Sequence, residues 1–192
     1  MTEIEQVRLD MGGFEVNSYV VHAPKGDLIV DAGAEPEKIL ARLTRPVAAI
    51  LITHGHADHV GALEDIRSNT GAPVYAHPAD AEGAGVKAYE PLADGEDLVM
   101  AGETLRVMHT PGHSPGSLTF VVGQDQIVGD LILPGSVGRT DISGASWEEI
   151  EVSLRNVMPL WDATTRLLAG HGQVMNAFEE LDTNPYLPLG IV

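Results

Sequence analysis

The 192-residue chain contains no cysteine, which excludes disulfides and thiolate metal ligands. It is poor in cations: 11 Lys and Arg stand against 28 Asp and Glu, for a formal net charge of −17. A phosphate backbone calls for a Lys/Arg surface, so the balance argues against nucleic acid as the main partner. Aromatic residues make up only 5% of the chain, and no aromatic cage is indicated. No segment reaches the roughly 18 consecutive apolar residues of a membrane span. The start, Met1-Thr2-Glu3-Ile4-Glu5, lacks the basic and apolar regions of a secretory signal. The expectation is a cytoplasmic protein with no membrane partner.

What is present suits one core. The length allows a single sizeable domain, and 44% hydrophobic content is ordinary for a globular chain. The 21 Gly and 12 Pro fall between apolar runs, as in a fold with elaborate loops. Strand-like runs recur at Val16–Val21, Leu28–Val30, Val47–Ile52, Val74–Ala76, Thr104–Met108, Leu118–Val122, Gln126–Val128 and Arg166–Ala169. Helical periodicity covers Pro36–Leu43, Val60–Ser68, Trp147–Val157 and Met175–Leu181. Ser146 is a candidate N-cap with Glu149 at the capping-box position. Trp147 and Trp161 are expected to pack that helix. Strands and helices are interspersed throughout, which predicts a single α/β domain over 1–192.

The segment Thr53-His54-Gly55-His56-Ala57-Asp58-His59 carries the chemistry. It places three imidazoles and a carboxylate within six residues, directly after an apolar strand. These are ligand types that borderline divalent metals prefer. His54 and His56 are two apart, so in an extended segment both rings face one side. Elsewhere in the chain, Asp31, His113, Asp130 and His171 each follow a strand, often beside a glycine that permits a sharp turn. Ligands at strand ends are held by a rigid scaffold yet stay open to solvent.

The run His54-Gly55-His56-Ala57-Asp58-His59, with Thr110-Pro111-Gly112-His113-Ser114, Asp130 and Gly170-His171-Gly172, resembles the ordered motifs of the metallo-β-lactamase superfamily. More narrowly it is similar to the glyoxalase II-like (hydroxyacylglutathione hydrolase-like) branch. The match extends from Asn17-Ser18-Tyr19 and Asp31-Ala32-Gly33 to Asn184-Pro185-Tyr186. The resemblance implies a four-layer αββα sandwich with the site at one edge. It implies two divalent ions, the first on His54, His56 and His113, the second on Asp58, His59 and His171, with Asp130 bridging. Zn²⁺ is the leading candidate, with Fe and Mn²⁺ open. Two ions roughly 3.5–4 Å apart can share a water and lower its pKa from about 15.7 toward about 7. Asp58 could also orient that nucleophile or relay its proton. Asp31 resembles the family carboxylate that orients a ligand imidazole, and a plain turn role for Asp-Ala-Gly is the other reading.

Within the superfamily the best fit is a thioesterase cleaving S-acyl, lactoyl-type thioesters, with a small-molecule partner. A mononuclear iron persulfide dioxygenase using His54, His113 and Asp130 is the alternative, as is a lactonase. Only 21 residues follow His171, so no helical C-terminal domain is expected. The glyoxalase II pattern has Lys and Tyr where this chain has Arg139 and Asp141. Arg139 could bind a substrate carboxylate or pair with Asp141. His22, His77 and His109 match no ligand motif and are expected in surface or structural roles.

Overall fold

A computed structural model describes residues 2–187; the domain expected over 1–192 extends past these at both ends. The first half of the chain builds one sheet. β1 (Glu3–Asp10), β2 (Glu15–Ala23) and β3 (Gly26–Val30) form an antiparallel meander. β4 (Val47–Leu51), β5 (Val74–Ala76) and β6 (Glu90–Pro91) then add in parallel, in sequence order. The crossovers carry α1 (Pro36–Leu40), α2 (Ala57–Val60), α3 (Leu63–Thr70) and α4 (Pro78–Gly83).

The second half builds another sheet from β7 (Asp97–Met100), β8 (Glu103–His109), β9 (Leu118–Val122) and β10 (Asp125–Gly129). A short hairpin of β11 (Ile132–Leu133) and β12 (Ser136–Val137) precedes α5 (Trp147–Val157). β13 (Arg166–Ala169), β14 (Met175–Asn176) and α6 (Ala177–Thr183) complete it, with sheet order β14-β13-β10-β9-β8-β7.

Three buried clusters separate four layers. Strand residues alternate between them because successive side chains leave opposite faces. Leu28 and Val30 of β3 and Ala49 and Leu51 of β4 meet Leu105, Val107, Leu118 and Phe120 between the two sheets. Ile29 and Ile50 face outward onto Ile39 of α1, Ile66 of α3 and Ala81 of α4. On the far side, Val128 and Leu167 pack on Ile150, Leu154 and Val157 of α5. Covering both sheet faces explains why these strands are near-continuous apolar runs. Each fully buried Leu, Ile or Phe contributes roughly 1.5–3 kcal/mol. The result is the αββα sandwich the resemblance implied. Among the described residues no helix is long and apolar enough to cross a membrane.

Several boundaries differ from the periodicity reading. The helix expected over Val60–Ser68 is two, because the chain breaks between α2 and α3 at Gly61 and Ala62. There is no room for a side chain at Gly61, where a Cβ would lie 2.6 Å from the Gly33 carbonyl oxygen. The helix expected at Met175–Leu181 begins two residues later, since Met175 and Asn176 pair with β13 and the Asn176 side chain caps α6. α1 stops at Leu40 rather than Leu43. Trp147 and Trp161 do pack in the α5 cluster, Trp161 also donating to Gln126 Oε1 at 3.0 Å.

Candidate metal centre

β3, β4, β8, β10 and β13 all end at the same edge of the sandwich, and each delivers a polar residue there. After β4 the chain stays extended through His56 (φ −70°, ψ 148°), which opens α2. Asp58 and His59 thus fall in the first turn of that helix instead of continuing the alternation of His54 and His56. His113 comes from the β8–β9 loop, Asp130 from the turn after Gly129 (φ 51°), and His171 from the turn after β13.

All seven expected ligands converge. His54, His56 and His113 have donor atoms within 4.8 Å of one another, as do Asp58, His59 and His171, and likewise His54, His59 and Asp130. His56 Nδ1 lies 2.9 Å from His113 Nε2. Asp130 sits between the triads, with Oδ2 3.5 Å from His113 Nε2 and 3.4 Å from His171 Nε2. Asp58 Oδ2 is 3.3 Å from His171 Nε2.

The outward-facing nitrogens are tied down. Nδ1 of His54 meets Thr53 Oγ1 at 3.0 Å, that of His113 the Arg139 carbonyl at 3.0 Å, and that of His171 the Glu15 carbonyl at 2.6 Å. Nδ1 of His59 meets Asp31 Oδ2 at 2.8 Å. Four imidazoles therefore present Nε2 to the centre, in orientations fixed from behind. Nε2 of His54, Nε2 of His59 and Oδ1 of Asp130 are buried without a hydrogen-bond partner. A buried polar atom left unpaired costs about 1–3 kcal/mol. Three such atoms among converging nitrogen and oxygen donors fit divalent cations.

Electrostatics follow from this crowding. Burial pushes the His54 imidazole well below its ordinary pKa, and the neighbouring rings add to that. Burial also opposes charge on His59, but Asp31, Asp130 and Asp58 outweigh it and raise its pKa. Hydrogen bonds to Asp130 and Asp58 push His171 up to about 10. Burial works against ionised Asp130, yet His171, His59 and His54 together hold it far below the usual carboxylate range. His171 Nε2 lies within 3.4 Å of both the Asp58 and the Asp130 carboxylate, two like charges that cations would also offset.

Close packing leaves no slack. A Cβ on Gly170 would strike Asp130 Oδ1 and lie 2.5 Å from His59 Cε1. Asn17 Nδ2 donates to the Ala169 and Gly172 carbonyls at 2.9 Å each, and Tyr19 hydroxyl donates to Ala169 at 2.6 Å, so β2 grips the His171 turn. Asp80, on α4, accepts from the loops carrying His54, His56 and His113. The sequence reading missed Asp80, and it noted Asn17 and Tyr19 as motif residues without assigning them this grip. Nothing in local spacing marks any of these bonds.

Arg139 is 71% exposed and pairs with Asp141 through Nε at 2.9 Å, so of the two readings the ion pair is the one formed. Its main-chain carbonyl, not its side chain, serves the cluster. His77 and His109 stack on each other, with ring centroids 4.3 Å apart, and belong to none of the ligand groups.

A family model described as Metallo-beta-lactamase superfamily matches residues 11–189, and the chain belongs to that superfamily. It is 33% identical to "Probable metallo-hydrolase YqgX" of Bacillus subtilis over 94% of this chain and 96% of that one. It is 29% identical to "Hydroxyacylglutathione hydrolase GloC" of Haemophilus influenzae, covering 85% and 88%. Among solved structures, BLEG-1 B3 metallo-beta-lactamase superposes with a TM-score of 0.86 at 31% identity, over 98% of this chain and all (100%) of that one. TTHA1623 in a di-iron-bound form gives 0.83 at 36%, over 94% and 100%. Fold, family and His/Asp cluster define a metal-dependent hydrolase.

Proposed function

We propose that the chain is a binuclear hydrolase of the glyoxalase II type, cleaving S-acyl thioesters of the hydroxyacyl class in the cytoplasm. The observation that carries the binuclear reading is the completeness of the second triad: Asp58, His59 and His171 close in on one point, with Asp31 behind His59. The likeness to the GloC hydrolase along most of both chains supports the thioester. The first ion would lie on His54, His56 and His113 and the second on Asp58, His59 and His171, with Asp130 between; zinc suits the donors, and iron or manganese does too. Such ions supply Lewis acidity toward the acyl carbonyl and acidify water.

The chain's own residues do the rest. Asp130, with 8% of its side chain exposed, is held as a carboxylate by three imidazoles. Asp58 is more open, at 24%, and lies at the mouth of the cluster. In this reading it takes a proton from the attacking water and returns it to the departing thiolate. His56 weighs against a mononuclear oxygenase with two His and one Asp, because its ring lies within the first triad rather than outside it. The BLEG-1 likeness supports β-lactam hydrolysis as a second reading.

Protein of measured metal content, assayed in parallel on a hydroxyacyl-glutathione thioester, a cephalosporin and a persulfide with oxygen uptake, tests this. Thioester turnover without oxygen uptake, lost in His56→Ala, is expected. Turnover of the cephalosporin alone, or sulfite formation with oxygen uptake, would sink the thioesterase reading.

A further inference from the structure

The first triad is assembled from two loops on different sheets, His54 and His56 after β4 and His113 between β8 and β9. We propose that Asp80 is the positioning residue that locks these loops together and sets the spacing of His54, His56 and His113 for a divalent cation. This rests on reading that triad as a metal site.

Asp80 is buried on α4 and is not itself among the candidate ligands. Its Oδ2 accepts the N–H of Gly55, the residue between the two imidazoles, at 2.9 Å. The same oxygen accepts the hydroxyl of Ser114, next to His113, at 2.5 Å. Oδ1 accepts the N–H of Gly116 at 2.7 Å. One carboxylate therefore spans both loops with three directional bonds. Ser117 Oγ lies 2.6 Å from Ser114 Oγ; since the Ser114 hydroxyl is committed to Asp80, Ser117 donates to it, fixing the β8–β9 loop further.

The surroundings are shaped to this carboxylate. A Cβ on Gly116 would lie 2.7 Å from Asp80 Oδ1, and one on Gly55 2.6 Å from the Asp80 main-chain oxygen. Among the described residues Asp80 has no ion-pair partner; its acceptors are met by neutral donors. A buried charge without a counter-cation is a poor source of stability. What the three bonds do provide is a fixed distance between two loops, which a cation with three protein ligands requires.

The test is zinc affinity, measured by titration against a competing chelator. It is run in an Asp58→Ala background, where the second triad has lost a ligand and the remaining zinc reports the first. Adding Asp80→Asn keeps the volume but turns an amide N–H toward a donor, and should weaken that zinc about 10–100-fold. Ser114→Ala removes one bond and should weaken it less. Asp27→Asn is the control: Asp27 is a buried carboxylate that accepts main-chain N–H groups at the opposite end of β3. It should lower the melting temperature and leave zinc affinity unchanged. Zinc affinity in Asp80→Asn equal to the background, even with a lower melting temperature, overturns the proposal; if that variant does not fold, unchanged affinity in Ser114→Ala does so. A parent protein that binds no zinc, iron or manganese would sink the metal reading and the proposal with it.

Discussion

Asp31 Oδ2 lies 2.8 Å from His59 Nδ1, and the same carboxylate accepts the Thr53 N–H at 2.8 Å and the Thr53 hydroxyl at 2.7 Å. Asp31 thereby joins the end of β3 to the start of the His54 loop and to α2. It does so from a left-handed backbone, φ 60°, a region that Asp and Asn tolerate better than most residues.

That pairing predicts different outcomes for two substitutions. Asp31→Asn keeps the backbone preference, but its amide nitrogen replaces one of the two accepting oxygens, so it gives up the charge behind His59 and one of the Thr53 bonds. Metal affinity should fall about 10–100-fold with modest loss of stability. Asp31→Ala also strips Thr53 and His59 of their acceptor and adds left-handed strain, so it should cost a further 2–4 kcal/mol or so. Equal chemical-denaturation midpoints for the two variants would contradict this account.

Metal removal should destabilise the fold as well as silence it. Without cations, Asp58 and Asp130 share only the His171 Nε2 between them, and three buried polar atoms of the cluster lack partners. Ions held at about 1,000 times their Kd stabilise by about 4 kcal/mol, which for a chain of this size is on the order of 10 °C in melting temperature. Calorimetry before and after chelation, with metal content measured on the same samples, checks it. An unchanged melting temperature after verified removal would count against resident metals.

Two glycines should behave in opposite ways. A Cβ at Gly170 collides with Asp130 and His59, so Gly170→Ala should abolish metal binding and cost about 1–3 kcal/mol through overpacking. At Gly123, φ is 60° but nothing lies within 4 Å, so Gly123→Ala should cost about 1–2 kcal/mol and leave the metal content intact. Metal analysis of the two purified variants distinguishes a site effect from a backbone effect.

The ligand cluster was legible because four of its members fall within six residues and the others each follow a strand. α5 was legible from its periodicity, and Ser146 does cap it, accepting the Glu149 N–H at 3.3 Å. The reciprocal half of that box is replaced: the Ser146 N–H goes to the Gly112 carbonyl at 2.7 Å, tying α5 to the His113 loop. β1 was missed because its alternation is broken by polar residues such as Gln6 at half-buried positions, and its pairing with β2 supplies what propensity lacks. Asp80 and the grip of Asn17 were not legible for a different reason. Their partners lie 25–36 and 152–155 residues away, and only the closed sandwich brings them together.

Stability should also depend on pH through a group far from the metal centre. Asp27 is fully buried at the start of β3 and accepts the N–H groups of Thr44 (2.5 Å) and Arg45 (2.9 Å), with His22 Nδ1 at 3.0 Å. Burial disfavours its charge, but those two N–H groups and the imidazole outweigh burial and leave its pKa below the ordinary value of 3.8. A carboxylate whose pKa is depressed by folding adds stability above its unfolded pKa and loses it as pH falls through the folded one. Near pH 7 the contribution is present in full, so Asp27→Asn should be less stable there by about 1–3 kcal/mol. The gap between the two proteins should begin to narrow below about pH 4 and close only below the folded pKa, where protonation removes from the parent what the substitution removed already. Urea unfolding of both, on metal-saturated protein at pH 7 and metal-free protein at pH 3.5 and 7, separates this effect from the titration of the cluster. A gap between parent and variant that does not narrow in acid would mean that the Asp27 charge contributes nothing and that shape alone holds the Thr44–Arg45 turn.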